Sequence, residues 1–192
     1  MEQINLLNKT GVSLHTDAKK MPLLPIENPP SPPPSGRLAN KQGNLLESTV
    51  KDIFISKGFT LKKYKDYLSS DTDIDNLILT NAPYTSIYKH NGKTEFLIKS
   101  LHYNLLIRIE CKWQQSQGSV DEKLPYLYLN CVESMPEDNI MIVIDGNGFK
   151  KGAVEWLKEA ASERKFLPSD STKKIQVFTL TEFLVWANHT FR

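Results

Sequence analysis

The stretch LLIRIECKWQQ, residues 105–115, decides how this chain reads. Side chains alternate along a strand, so Ile107, Ile109, Cys111 and Trp113 point one way and Arg108, Glu110 and Lys112 the other. One face is apolar and belongs in a core. The other sets a carboxylate beside an ammonium, roughly 7 Å apart at the backbone. Such a pair lets the carboxylate hold a cation while the lysine reaches the same water or phosphate.

The letters alone carry little. With 22 acidic residues and 20 lysines in 192 residues, about two acid-x-Lys matches arise by chance, and short motifs have a high false-positive rate. Four occur: Asp17/Lys19, Glu110/Lys112, Asp121/Lys123 and Glu163/Lys165. Only the Glu110 copy lies in an apolar strand, so its context selects it.

Composition bounds the rest. The length allows one domain with a tail, and 40% hydrophobic residues suffice for a core. A net charge of +2 excludes a uniformly basic coat, so nucleic-acid binding needs a local patch. Lysines cluster at 62, 63 and 65, at 150 and 151, and at 173 and 174. Cys111 and Cys131 have no zinc-site spacing, and a reduced, cytoplasmic thiol pair is expected. No apolar run approaches the length of a membrane span, and the start MEQINLLNKTG has no secretory apolar stretch.

Residues 1–42 are read as a flexible leader, because ENPPSPPPSG brings five prolines that favour polyproline II. Residues 43–192 are read as the domain. A helix is expected over Gly43–Lys57, capped by Asn44 and ended by Gly58. Phe59–Tyr67 suits a strand or a short helix. Leu77–Leu79 is a short apolar run broken by Pro83. Strands follow at Ser86–Lys89, Thr94–Ser100 and Leu105–Trp113, with Asn91-Gly92 as a hairpin turn. Further elements are a helix over Ser119–Asn130, a doubly buried strand at Ile140–Ile144, a helix at Gly152–Ser162, a strand at Ile175–Thr179 and a helix at Thr181–His189. The alternation predicts an α/β fold, a central mixed sheet flanked by helices.

Upstream of Glu110, Glu95 lies on the preceding strand in GKTEFLI, and Glu47 lies in the first helix in NLLESTV. In this order, Glu47, Thr94-Glu95 and Glu110-Cys111-Lys112 resemble the PD-(D/E)XK nuclease superfamily. ECKWQQSQGSVDEKLPY and MIVIDGNGFKKGAVEWL look like one bacterial and phage group of that superfamily. The resemblance spans about Gly43 to Trp186. It implies a restriction-endonuclease-like core, one or two Mg²⁺ ions (Mn²⁺ as an alternative) and phosphodiester hydrolysis. By position, Glu95 and Glu110 would hold the metal, Lys112 would orient or polarise the attacking water, and Glu47 would complete the ligand set or hold a water of its shell. The usual Pro-Asp is Thr94-Glu95 here, with an acid one methylene longer. The expected activity is that of a Mg²⁺-dependent DNA endonuclease of restriction type, working as a homodimer because one small domain cuts one strand. The alternatives are a Holliday-junction or other structure-selective nuclease, and a catalytically silent DNA-binding or assembly subunit.

Four more residues are candidates for contact with substrate: Gln114, Lys123, Lys150 and Lys151. Gln114 continues the active-face alternation. Lys150 and Lys151 open a helix whose N-terminus suits a phosphate. Gly146-x-Gly148 precedes that helix, but the next glycine, Gly152, is one residue too far for a dinucleotide fingerprint, so no nucleotide cofactor is expected. Asp71-Thr-Asp73-Ile-Asp75-Asn76 starts like a calcium loop yet lacks its glycine and closing glutamate, and reads as a solvated turn.

Overall fold

A computed structural model describes residues 35–69, 74–115 and 121–192, with helix alone and no side chains over 35–42. The expected leader lies outside the described residues as far as residue 34, as do Asp71 and Asp73 of the acidic run. Eleven elements follow: α1 (Ser35–Ser56), β1 (Thr60–Lys63), α2 (Tyr64–Leu68), β2 (Leu77–Thr85), β3 (Asn91–Ser100), β4 (Leu105–Trp113), α3 (Lys123–Glu133), β5 (Asn139–Asp145), α4 (Lys151–Ser162), β6 (Lys174–Thr179) and α5 (Leu180–Thr190).

The six strands form one mixed sheet in chain order. The β2/β3 and β3/β4 pairs are antiparallel, and β1/β2, β4/β5 and β5/β6 are parallel. One face takes Ile98, Ile107, Ile109, Met141 and Val143 against Leu46, Val50 and Phe54 of α1 and Phe183 and Ala187 of α5. The other takes Ile140, Ile142, Ile144 and Ile175 against Leu124, Leu127 and Cys131 of α3 and Leu157 and Ala160 of α4. β5 is therefore apolar on both sides, as a central strand between two helical layers must be.

Several boundaries differ from expectation. α1 begins at Ser35, so Asn44 lies within the helix and caps nothing; Gly58, at φ +85°, ends it. Phe59–Tyr67 divides into β1 and the start of α2. β2 runs straight through Pro83. That is tolerated because β1 pairs only as far as Thr80, which leaves Pro83 on an unpaired edge where no N–H is needed. Ser86–Lys89 is a turn, not a strand, and Asn91-Gly92 is not the hairpin turn but paired strand, opposite Thr85 and Tyr84. The turn closes through Lys89 N–H donating to Ser86 O at 2.8 Å, with Lys89 at φ +60°. Gly92 serves a different need: the Tyr84 ring covers it, and a Cβ there would lie 2.5 Å from that ring. α3 starts at Lys123 rather than Ser119, which places Pro125 in the first turn, where its missing N–H costs nothing.

Gly146 fixes the end of β4. Its φ is +100°, and a Cβ there would meet the Gln114 carbonyl oxygen at 2.1 Å. That carbonyl accepts from Gly148 N–H at 2.9 Å, and Gln114 N–H donates to Asp145 O at 3.1 Å. Gly146→Ala is expected to cost about 1–3 kcal/mol, the scale of a strained backbone at one residue. A urea titration measures it; an unchanged midpoint would show that the loop moves aside freely.

Candidate active site

Arg108, Glu110 and Lys112 share the β4 face that the alternation assigns them, and each has a different environment. Arg108 is 1% exposed. Its guanidinium forms a bidentate pair with Glu137 and donates to Ala82 O and Thr94 Oγ1, both at 2.9 Å. A buried cation so fully matched ties β4 to β2, β3 and the segment before β5. It also explains the departure at Thr94. A buried threonine hydroxyl accepts from Arg108 where proline could not.

The ladder between β3 and β4 runs from Ser100↔Leu105 to Phe96↔Ile109. Beyond that pair, Glu95 Oε2 accepts from Cys111 N–H at 2.9 Å. The longer glutamate arm thus spans the gap where the strands part. Its other oxygen, Oε1, lies 3.9 Å from Lys112 Nζ. Lys112 Nζ donates to Glu110 Oε1. Two carboxylates from neighbouring antiparallel strands therefore meet one ammonium.

Burial pushes Glu110 well above the usual carboxylate range; Lys112 opposes the rise and Glu95 adds to it. Burial pulls Lys112 down, but Glu110 and Glu95 together outweigh it and raise its affinity for its proton, so it is an ammonium at neutral pH. Glu47, on α1, is raised first by burial and then by the negative charge of Glu95. Burial thus disfavours the ionised forms of Glu110 and Glu47.

Glu110 Oε2 is fully buried and has no hydrogen-bond partner. An unpaired buried carboxylate oxygen costs free energy unless a cation or donor meets it. Hard oxygen donors of this kind suit Mg²⁺, which uses one or two carboxylates and keeps several waters. Among the described residues no three acidic, imidazole or thiol groups gather tightly enough to form a ready-made cage. Such a donor set would suit a cation shared with water and substrate, and Glu110 and Glu95 are the residues that could hold it.

The other sequence candidates lie on segments beyond the carboxyl ends of β4 and β5. Gln114 is held through its backbone as described above. Lys123 opens α3 and is exposed. Lys150 is turned toward Asp121, with Nζ 3.6 Å from Oδ2 and its backbone N–H donating to Oδ1 at 3.1 Å. Lys151 is 89% exposed and 3.5 Å from Glu155 Oε1. In open α/β sheets ligands gather at this end.

Sequence reasoning missed Tyr84. Its ring covers Gly92, and burial together with Glu110 pushes its hydroxyl up to about 12, so it stays a neutral hydrogen-bonding group. No local motif announces it, because its place depends on the β2/β3 register.

The sequence model of the PD-(D/E)XK nuclease superfamily domain matches residues 38–191. The chain belongs to the PD-(D/E)XK nuclease superfamily. No curated protein and no solved structure matches. The six-stranded mixed sheet with helices on both faces is the α/β fold of this superfamily, and a nuclease domain implies a nucleic-acid substrate. Among the described residues no helix is long and apolar enough to cross a membrane.

Proposed function

We propose that the chain is a Mg²⁺-dependent DNA endonuclease of restriction type, acting as a homodimer in the cytoplasm of a bacterial or phage-infected cell, with Mn²⁺ able to replace Mg²⁺. The observation that carries this reading is the buried, partnerless Oε2 of Glu110 beside Lys112, with Glu95 reaching the same lysine from the next strand.

Glu110 and Glu95 would hold the cation, with Glu47 as the third carboxylate. When bound, a divalent cation neutralises phosphate charge and lowers the pKa of a coordinated water. The residues do the rest. Lys112 keeps its proton, so it is not the base. It donates hydrogen bonds to the attacking water or to a non-bridging phosphate oxygen, where negative charge grows in the transition state. Glu95 holds Lys112 from one side and the β4 backbone from the other, which fixes the direction of that donation. Gln114, Lys123, Lys150 and Lys151 supply contacts along the backbone of the nucleic acid.

Glu47 is expected to matter less than the strand carboxylates, since it sits on α1 and has no direct bond to Lys112. Glu47→Ala should lower cleavage about 10–100-fold, the usual loss for a supporting group. Initial rates over a Mg²⁺ titration read this, and a rate equal to wild type at every concentration would remove Glu47 from the site. The function itself is tested by incubating the protein with plasmid DNA and with a single RNA, each with Mg²⁺ or EDTA. Cleavage of DNA that EDTA stops is the expected result. Cleavage of RNA alone, or of neither, contradicts the reading.

A further inference from the structure

α1 carries two adjacent stripes. Leu46, Val50 and Phe54, four residues apart, are buried in the core. Beside them Asn44, Glu47, Ser48 and Lys51 recur at i, i+3, i+4 and i+7, so they share one face of the helix. That face is polar, yet it looks onto the sheet and not away from it. With Asn81 of β2 and Lys93 and Glu95 of β3 it encloses an open cleft of about 440 Å³. A helix face turned toward its own sheet is ordinarily apolar and filled. Here polar groups line an empty space that ends on Glu95, a member of the candidate centre.

Charge in the cleft is arranged for an anion next to a cation site. Glu47 and Glu95 both line the cleft, and the negative charge of Glu95, after burial, disfavours ionisation of Glu47. Lys51 is 31% exposed at its side chain, and among the described residues its one acidic partner is its sequence neighbour Asp52, at 3.5 Å. Lys93 is exposed and has no acidic partner among the described residues. Asn81 holds a left-handed backbone at φ +57°, a conformation asparagine tolerates better than most residues. Two carboxylates alone would repel a phosphodiester chain, and two lysines in the same cleft offset that repulsion.

We infer that this cleft holds the nucleic-acid strand next to the cleaved bond, with Lys51 and Lys93 on the phosphate of a neighbouring nucleotide. The inference rests on the nuclease reading above. A phosphate contact of this kind positions the strand and carries no sequence information. It therefore contributes equally to all sequences and shows in the salt dependence of binding.

The test is fluorescence anisotropy of the full-length protein with a short labelled duplex in EDTA, over a salt series. Lys51→Gln and Lys93→Gln should each weaken binding several-fold and lower the slope of log Kd against log salt by about 0.9. Lys158→Gln, in a lysine that pairs with Glu182 at 3.0 Å, should leave both unchanged. Unaltered slopes in Lys51→Gln and Lys93→Gln would overturn the inference, as would an equal fall in Lys158→Gln, which reports bulk charge only. The predicted slope changes in the variants, beside a wild type that never cleaves with Mg²⁺, would support the cleft and remove the nuclease reading. A wild-type protein that binds no nucleic acid would overturn both.

Discussion

Lys112→Ala should lower the cleavage rate by about 10²–10⁴-fold, the range for a group that acts on a proton or developing charge in the transition state, and leave nucleic-acid affinity nearly unchanged. The asymmetry follows from its position. Lys112 is held by Glu110 and Glu95, so its charge is largely spent inside the site and adds little to binding a strand. One lysine is also a small share of the phosphate contacts that set affinity. Single-turnover rates beside gel-shift titrations separate the two effects. A parallel loss of binding and cleavage would make Lys112 a phosphate contact only.

Glu110→Gln should abolish cleavage and Mg²⁺-dependent stabilisation while making the metal-free protein more stable at neutral pH. The sign follows from the direction of the shift. Burial, aided by Glu95 and opposed by Lys112, raises the folded-state pKa of Glu110 above its unfolded value. The protonated form is then preferred in the fold. Stability from this group is full below the unfolded value, about 4.3 for glutamate, and falls as pH rises toward the folded value. Glutamine keeps the shape and removes the charge, and Glu95 remains within 3.9 Å of Lys112. Melting curves in EDTA should show the variant above wild type at neutral pH and level with it in acid. Adding Mg²⁺ at a hundredfold excess over Kd should raise wild type by about 2.7 kcal/mol and the variant hardly at all. Equal Mg²⁺ stabilisation of both would place the cation elsewhere.

The sequence signals that held were those set by local physics. β4 spans Leu105–Trp113 because its alternation continues without a break, and β5 stands out because Ile140–Ile144 is apolar on both faces. Glu47, Glu95 and Glu110 lie in α1, β3 and β4, elements whose periodicity is local. What was hidden depended on partners far along the chain. Asn91-Gly92 carries the strongest short hairpin signal, yet Gly92 is glycine because Tyr84 lies on it. The true turn at Ser86–His90 closes with an ordinary lysine at positive φ. Arg108 lies on the face opposite Ile107 and Ile109, yet it is buried against Glu137, a residue 29 positions away. The polar residues of α1 line a cleft because residues of β2 and β3 face them, which no local pattern records.

If Glu95, Glu110 and Lys112 form one cation-dependent cleaving centre, loss of any part of it stops cleavage. Nicking and linearisation of supercoiled plasmid by wild type, Lys112→Ala and Glu110→Gln, side by side with Mg²⁺ and with EDTA, test it most directly. Cleavage is expected for wild type with Mg²⁺ alone, with both variants and every EDTA lane left supercoiled. Cleavage by Lys112→Ala or Glu110→Gln at the wild-type rate would contradict it.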